Sequence, residues 1–222
     1  MHLSRGWFPR CGGLVCLLAI AAAAGNALAE PARGFRHRGF YLHEGWLYKH
    51  PFAVRAWRRE DFAAMYQLLA RLGFDRVMNW PMLEAIPAPL SEVDARALRD
   101  YSRTIDDAHA AGLEFWLAQT PNLTPPPAIA AKPWKERNPY PVWKHVRLDD
   151  PAEAAAYFAH RRAMMEIVNS ADAYVTIDGD PGGYPDAKPR EWLSVFLADR
   201  ATLDARGAAG KRQRLIPWVW CG

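Results

Sequence analysis

One pattern recurs four times along this chain: an amphipathic helix, a short turn, then an apolar strand that ends in polar or aromatic residues. The strands read Phe74-Asp75-Arg76-Val77-Met78-Asn79-Trp80, Leu113-Glu114-Phe115-Trp116-Leu117-Ala118-Gln119, Ala173-Tyr174-Val175-Thr176-Ile177-Asp178 and Leu215-Ile216-Pro217-Trp218-Val219-Trp220. A further strand, Gly39 to His43, precedes the first helix. Strands alternating with helices at this spacing form a parallel sheet, because a parallel pair needs a crossover long enough to hold a helix. Loops at the carboxyl ends of such strands build the site. Glu44, Asn79, Gln119, Asp178 and Asp180 therefore become candidates before any chemistry is considered.

The helix signals are local. Phe62, Met65, Tyr66, Leu69 and Leu72 share a face in the first helix, and Gly73 suits its C-terminal stop. Ser91 is a good N-cap for the second, whose stripe is Val93, Ala97, Tyr101, Ile105 and Ala108. Asp150-Pro151-Ala152-Glu153 opens the third, where Met164 and Met165 read as core filler. The fourth spans about Arg190 to Leu203. The connection Thr120 to Asp149 carries seven prolines with Trp134, Tyr140 and Trp143, and is too long for a plain turn. It reads as a substrate-contacting loop over the strand ends, or else as a structural insertion.

The first 29 residues have signal-peptide form: Arg5 and Arg10, an apolar run Leu14 to Ala24, and Ala27-Leu28-Ala29 before Glu30. The run is short of the roughly 20 residues a spanning helix needs, so secretion or periplasmic export is expected, with a retained anchor as the alternative. Cleavage would remove Cys11 and Cys16, leaving Cys221 alone, and would leave 26 Lys and Arg against 24 Asp and Glu. That balance gives no case for a nucleic-acid partner, and no membrane association is expected after cleavage. Residues 30–222 would then form a single domain. A complete eight-stranded barrel takes roughly 250 residues, so an incomplete barrel from a truncated chain is expected. An open doubly wound sheet is the rival, although the first crossover lacks a Gly-rich phosphate turn. Nothing in the residues speaks to oligomeric state.

The ten Trp residues are unusual in number, and Trp46, Trp80, Trp134, Trp143, Trp218 and Trp220 fall at strand ends or in loops. Each alone can be core packing; as a set they fit stacking against the C–H faces of sugar rings. Thr176-Ile177-Asp178-Gly179-Asp180-Pro181-Gly182-Gly183-Tyr184 is the most specific constellation. Strand alternation is expected to turn Val175 and Ile177 to the helices and Thr176 and Asp178 to the barrel axis. Two carboxylates this close would push their pKa values apart, leaving one as an acid and the other ionised. Strand capping with an Asx-type turn, or a divalent cation on the D-x-D pair, are the other readings. Glu44, beside Trp46, either binds hydroxyls or makes a surface salt bridge; Asn79 and Gln119 could bond hydroxyls. His50, His109, His145 and His160 lack metal-ligand spacing, and surface positions are expected for His109 and His160. No G-x-S-x-G elbow is present.

Gly39-Phe40-Tyr41-Leu42-His43, Leu72-Gly73-Phe74-Asp75-Arg76-Val77-Met78-Asn79-Trp80 and the carboxylates after the fourth strand resemble secreted TIM-barrel glycoside hydrolases of the beta-N-acetylhexosaminidase and alpha-glucuronidase types. The resemblance covers about Arg38 to Cys221. It implies an α/β fold, a partial (β/α)8 barrel of about five parallel strands, acting on a carbohydrate without a cofactor or metal. The acid/base of such enzymes often follows the fourth strand, which implies Asp180 as acid/base and Asp178 as its partner; by their residue types and places at strand ends, Glu44, Trp46, Asn79, Trp80, Gln119 and Trp218 are the expected substrate-binding residues. The usual acid there is Glu in an Asp-Glu or Asn-Glu pair, whereas this chain has Asp-Gly-Asp. A non-catalytic carbohydrate-binding barrel, or an inactive fragment, is the alternative.

Overall fold

The computed structural model describes residues 35–45, 53–137, 144–178, 188–208, 210 and 212–219. Residues 1–34, with the expected signal peptide, and Trp46, Trp143, Gly179, Asp180, Trp220 and Cys221 lie outside the described residues.

Five parallel strands form one sheet: β1 (Gly39–His43), β2 (Arg76–Trp80), β3 (Glu114–Gln119), β6 (Ala173–Ile177) and β7 (Arg214–Trp218), in that order across it. The helices α1 (Arg59–Arg71), α2 (Glu92–Ala110), α4 (Pro151–Ile167) and α5 (Pro189–Ala208) are the crossovers between them. The long β3–α4 connection adds a two-stranded antiparallel ribbon, β4 (Leu123–Thr124) with β5 (Lys144–His145), and a one-turn helix α3 (Pro127–Ala130). This is the α/β architecture expected, an arc of a (β/α) barrel.

Local chemistry sets the helix boundaries. Asp61 accepts the Arg58 N–H at 2.8 Å at the start of α1. At its end Gly73 takes φ 79°, a conformation costly for a residue with a Cβ, and lets Phe74 N–H reach Leu69 O at 3.0 Å. Ser91 caps α2 by accepting the Asp94 N–H at 3.1 Å, and Asp150 caps α4 by accepting from Ala152 and Glu153. Leu98, Tyr101, Ile105 and Ala108 form the buried stripe of α2, whereas Val93, expected on it, is exposed.

The two faces of the sheet differ. Val77, Phe115, Leu117 and Tyr174 point into the helix layer and are fully buried. Tyr41, Met78, Trp116 and Trp218 occupy the opposite face and are partly exposed. That opposite face is concave. The edge strands β1 and β7 lie four strand spacings apart in the order, which would separate them by ~19 Å in a flat sheet. Yet the rings of Tyr41 and Trp218 meet edge-on at 5.5 Å. Only a sheet curled about an axis brings them together. At the amino-terminal end of this face Glu114 forms ion pairs with Arg76 and Arg214, whose guanidiniums lie over the Trp116 ring at 5.2 and 5.3 Å.

Candidate functional site

The carboxyl ends of the strands carry Glu44, Trp80, Gln119, Asp178 and Trp218 to one end of the sheet. On the concave face the pleat stacks aromatic rings. His43 lies face-on to Trp80 at 4.7 Å and 8°, Tyr41 stacks on His43 at 5.9 Å, and Trp218 closes on Tyr41 from the far edge. Trp80 is buried beneath His43, whereas Tyr41, His43 and Trp218 are at least partly exposed. Asp178 lies one residue past β6, where its N–H donates to Trp218 O at 3.1 Å. That bond prolongs the β6–β7 ladder and fixes the Asp178 backbone beside Trp218. Asp178 is partly exposed, with its Oδ1 buried, and the alternation that turns Thr176 to the helices puts its side chain on that same side.

Three of the expected substrate-binding residues point elsewhere. Glu44 prolongs the ladder through its N–H to Trp80 O at 3.0 Å, but its carboxylate accepts from Asn79 Nδ2 at 2.8 Å and is only 3% exposed. Asn79 shares a row with Leu42 and Leu117, on the helix side of the sheet. The Arg55 guanidinium ties this corner together, donating to the carbonyls of Glu44, Trp134 and Lys135. Gln119 donates to Asp199 Oδ2 at 3.1 Å and is also buried. Glu44, Asn79 and Gln119 thus stand in the wall behind the concave face.

The facing of β6 is the reverse of the alternation expected. Thr176 Oγ1 donates to Asp199 Oδ2 at 3.2 Å, and Tyr174 Oη donates to Val168 O at 2.9 Å, so these residues face α4 and α5. Val175 and Ile177 take the concave side. The cause is an ion pair buried between the helices and the sheet. Arg161 of α4 grips Asp199 of α5 with two bonds of 2.7 Å and donates to Thr120 O and Tyr157 Oη. Asp199 has acceptor capacity left, and Gln119 and Thr176 supply the donors.

Trp134, in the long connection, is buried, donates to Met82 O at 3.0 Å and packs edge-on against Tyr101. Arg137 pairs with Asp94 at 2.9 Å with both side chains buried. The described middle of this connection is therefore bolted to α2 and the β2 loop, as a structural insertion is. His109 pairs with Asp172 at 2.8 Å at the surface, as expected, but His160 is 7% exposed and belongs to the interior. Among the described residues no three His, Cys, Asp or Glu side chains group as metal ligands do, and no helix is long and apolar enough to cross a membrane.

Glu84 escaped the sequence reading. It sits in the β2 loop, 5% exposed, and accepts from Trp80 Nε1 at 2.9 Å. Burial pushes its carboxyl up to about 7, against the opposing pull of the Trp80 bond and of Arg161 and Arg55. Burial does the same to Glu44, also to about 7, opposed by Lys135, Asn79 and Arg55. The linkage has a definite sign. Each group binds its proton more tightly when folded, so its contribution is full below the unfolded pKa near 4.5 and is lost as pH rises through about 7. Stability should fall between pH 5 and 8 by roughly 3 kcal/mol per group. Urea titrations at pH 5.5 and 8 check this. Glu84→Gln should flatten about half of the difference, whereas an unchanged slope would mean that Glu84 titrates normally.

No family model matches the chain, and no curated protein does. Solved structures do resemble it. A GH5_18 protein from Bifidobacterium longum subsp. longum aligns with a TM-score of 0.50 at 14% identity, over 82% of this chain and 44% of that one. A protein called CpGH84D gives 0.49 at 12% over 82% and 25%, and an alpha amylase candidate from Salmonella typhimurium gives 0.48 at 16% over 82% and 31%. The chain spans less than half the length of each. The names of all three belong to glycoside hydrolases; at these identities the likeness is one of fold, and the GH5_18 match carries it.

Proposed function

We propose that this chain contributes five strands of a secreted or periplasmic (β/α)-barrel glycoside hydrolase, cleaving glycosidic bonds at the carboxyl end of the sheet. The observation that supports it best is the concave face itself: partly exposed Tyr41 and Trp218 meet across the strand ends. Exposed aromatic faces suit a sugar ring, which is apolar on its faces. The barrel fold shared with the GH5_18 protein agrees with this reading.

In this reading Asp180 is the acid/base and Asp178 orients it or a sugar hydroxyl. Trp46, Trp218 and the Tyr41–His43–Trp80 stack form the platform. Glu44, Asn79 and Gln119 act from behind the strands, holding the platform in place. Hydrolysis also needs a second carboxylate or a substrate group on the other side of the sugar. No cofactor enters the scheme.

Turnover of aryl glycosides and oligosaccharides by the protein expressed from its own gene tests the proposal. Trp218→Ala should raise KM about 2- to 12-fold, the loss of one stacked ring of ~0.5–1.5 kcal/mol, with a smaller change in kcat. Binding without turnover on every glycoside would instead favour a non-catalytic carbohydrate-binding barrel. An unchanged KM in Trp218→Ala would remove the platform.

A further inference from the structure

Trp80 lies at the root of the aromatic stack and is 1% exposed, so its influence on the concave face runs through its neighbours. Its indole is 8° from parallel with the His43 ring at 4.7 Å, and His43 is 20° from parallel with Tyr41 at 5.9 Å. Tyr41 in turn meets Trp218 at 5.5 Å. Stacking is a broad preference, satisfied at centroid separations of roughly 4.5–7 Å, so it does not by itself fix the plane of a ring. One directional bond does: Trp80 Nε1 donates to Glu84 Oε1 at 2.9 Å.

Glu84 is a fixed point for that bond. It belongs to the short 3-10 helix Leu83–Ala85, and the carbonyls around it are held from three directions. Met82 O accepts from Trp134 Nε1 at 3.0 Å and Ala85 O from Arg137 Nη1 at 3.1 Å. Ile86 O, which can only accept, takes the proton of His160 Nε2 at 3.0 Å. These donors come from the long β3–α4 connection and from α4, so the loop keeps its shape independently of the indole. A second constraint acts on His43. A Cβ on Gly45 would lie 2.5 Å from His43 Nε2, so the ring can hold this position only while residue 45 is glycine. The His43 ring is thus confined by Trp80, Tyr41 and the Gly45 backbone.

We propose that Glu84 is a positioning residue for the aromatic platform: through Trp80 and His43 it sets the plane of Tyr41 opposite Trp218, and so governs how the concave face accepts a sugar ring. Its effect on substrate rests on the hydrolase reading above; its effect on the rings does not. Supporting residues of this kind hold a binding surface in its productive geometry before the ligand arrives. Burial pushes the Glu84 carboxyl up to about 7, so at pH 5.5 it is neutral and its carbonyl oxygen takes the indole N–H. Glutamine matches that form, with a carbonyl oxygen in the same place. Leucine fills the space and has no acceptor.

The test uses the protein expressed from its own gene at pH 5.5. Ring positions are read from the NMR signals of the Trp80 indole N–H and the Tyr41 ring, and KM and kcat from hydrolysis of chitotriose, cellotriose and maltotriose. Glu84→Leu should move both sets of signals and raise KM about 2- to 5-fold, less than the loss of a whole ring. An unchanged kcat should accompany it, the pattern of lost uniform binding. Glu84→Gln should restore wild-type signals and KM. Trp80→Phe keeps a stacked ring without an N–H, so Glu84→Leu made on that background should add no further change. Gly45→Ala should move the Tyr41 signals with Glu84 intact. Tyr41 signals that stay in place in Glu84→Leu, or that move as far in Glu84→Gln, would overturn the proposal. If Glu84→Leu does not fold, Trp80→Phe alone breaks the same bond, and unmoved Tyr41 signals there would overturn it. So would moved rings with an unchanged KM, in a protein whose KM rises in Trp218→Ala. No turnover of any trisaccharide by wild type would sink the hydrolase reading and leave the ring signals to decide this one.

Discussion

Asp199→Ala is expected to cost about 3–5 kcal/mol of folding stability, the range for breaking one side of a buried ion pair. Against the roughly 5–15 kcal/mol that holds a domain together, this is a large share. The carboxylate does more than neutralise Arg161. It accepts both guanidinium bonds at 2.7 Å, the Gln119 amide at 3.1 Å and the Thr176 hydroxyl at 3.2 Å. Truncation leaves a buried cation and two buried donors unsatisfied at once, in the seam where β3, β6, α4 and α5 meet. The loss should appear as a lower urea midpoint with an unchanged slope. The double variant Arg161→Met/Asp199→Leu should recover the part due to the uncompensated charge, while Gln119 and Thr176 still lack their acceptor. A loss under 1 kcal/mol in Asp199→Ala would mean that water reaches the pair.

The alternation of helices and strands was legible because caps, stop glycines and apolar stripes are local signals. Ser91, Asp150 and Gly73 each do in the structure what their residue types imply. The facing of β6 was not legible. Every residue of Ala-Tyr-Val-Thr-Ile is buried, so alternation names two sets without naming which set meets the helices. The decision lies with Asp199, more than twenty residues on. A trace of it was present: Arg161 interrupts the buried stripe between Tyr157 and Met164, and Asp199 sits between Val195 and Leu203 at helical spacing. Two opposite charges on the inner faces of successive helices mark a buried pair. Glu44, Asn79 and Gln119 were chosen by their position at strand ends, which fixes the end of the sheet but not its side. Glu84 gave no signal beyond lying four residues after Trp80, and only the loop's conformation, with Met82 at φ 62°, brings it back to the indole.

Asp180→Asn, assayed in the protein expressed from its own gene, is expected to slow hydrolysis of glycosides with poor leaving groups by at least ~100-fold, the lower scale of general acid catalysis. An alcohol leaving group must gain a proton as the bond breaks. An activated phenolate leaves without one, so aryl glycosides bearing such groups should lose far less. Asp178→Asn should slow both classes, because a residue that orients the sugar or balances its charge acts whatever the leaving group. The residue lies beyond the strand end and is partly exposed, so the variant should remain folded. Restoration of Asp180→Asn only by added divalent cation would turn the Asp178–Asp180 pair into a metal site, and unfolding of Asp178→Asn would turn Asp178 into a strand cap. The most direct measurement is therefore kcat/KM of wild type and Asp180→Asn against leaving-group pKa. The account predicts a steep dependence in the variant and a shallow one in wild type. Parallel lines of equal height, or no hydrolysis of any glycoside by wild type, would contradict it.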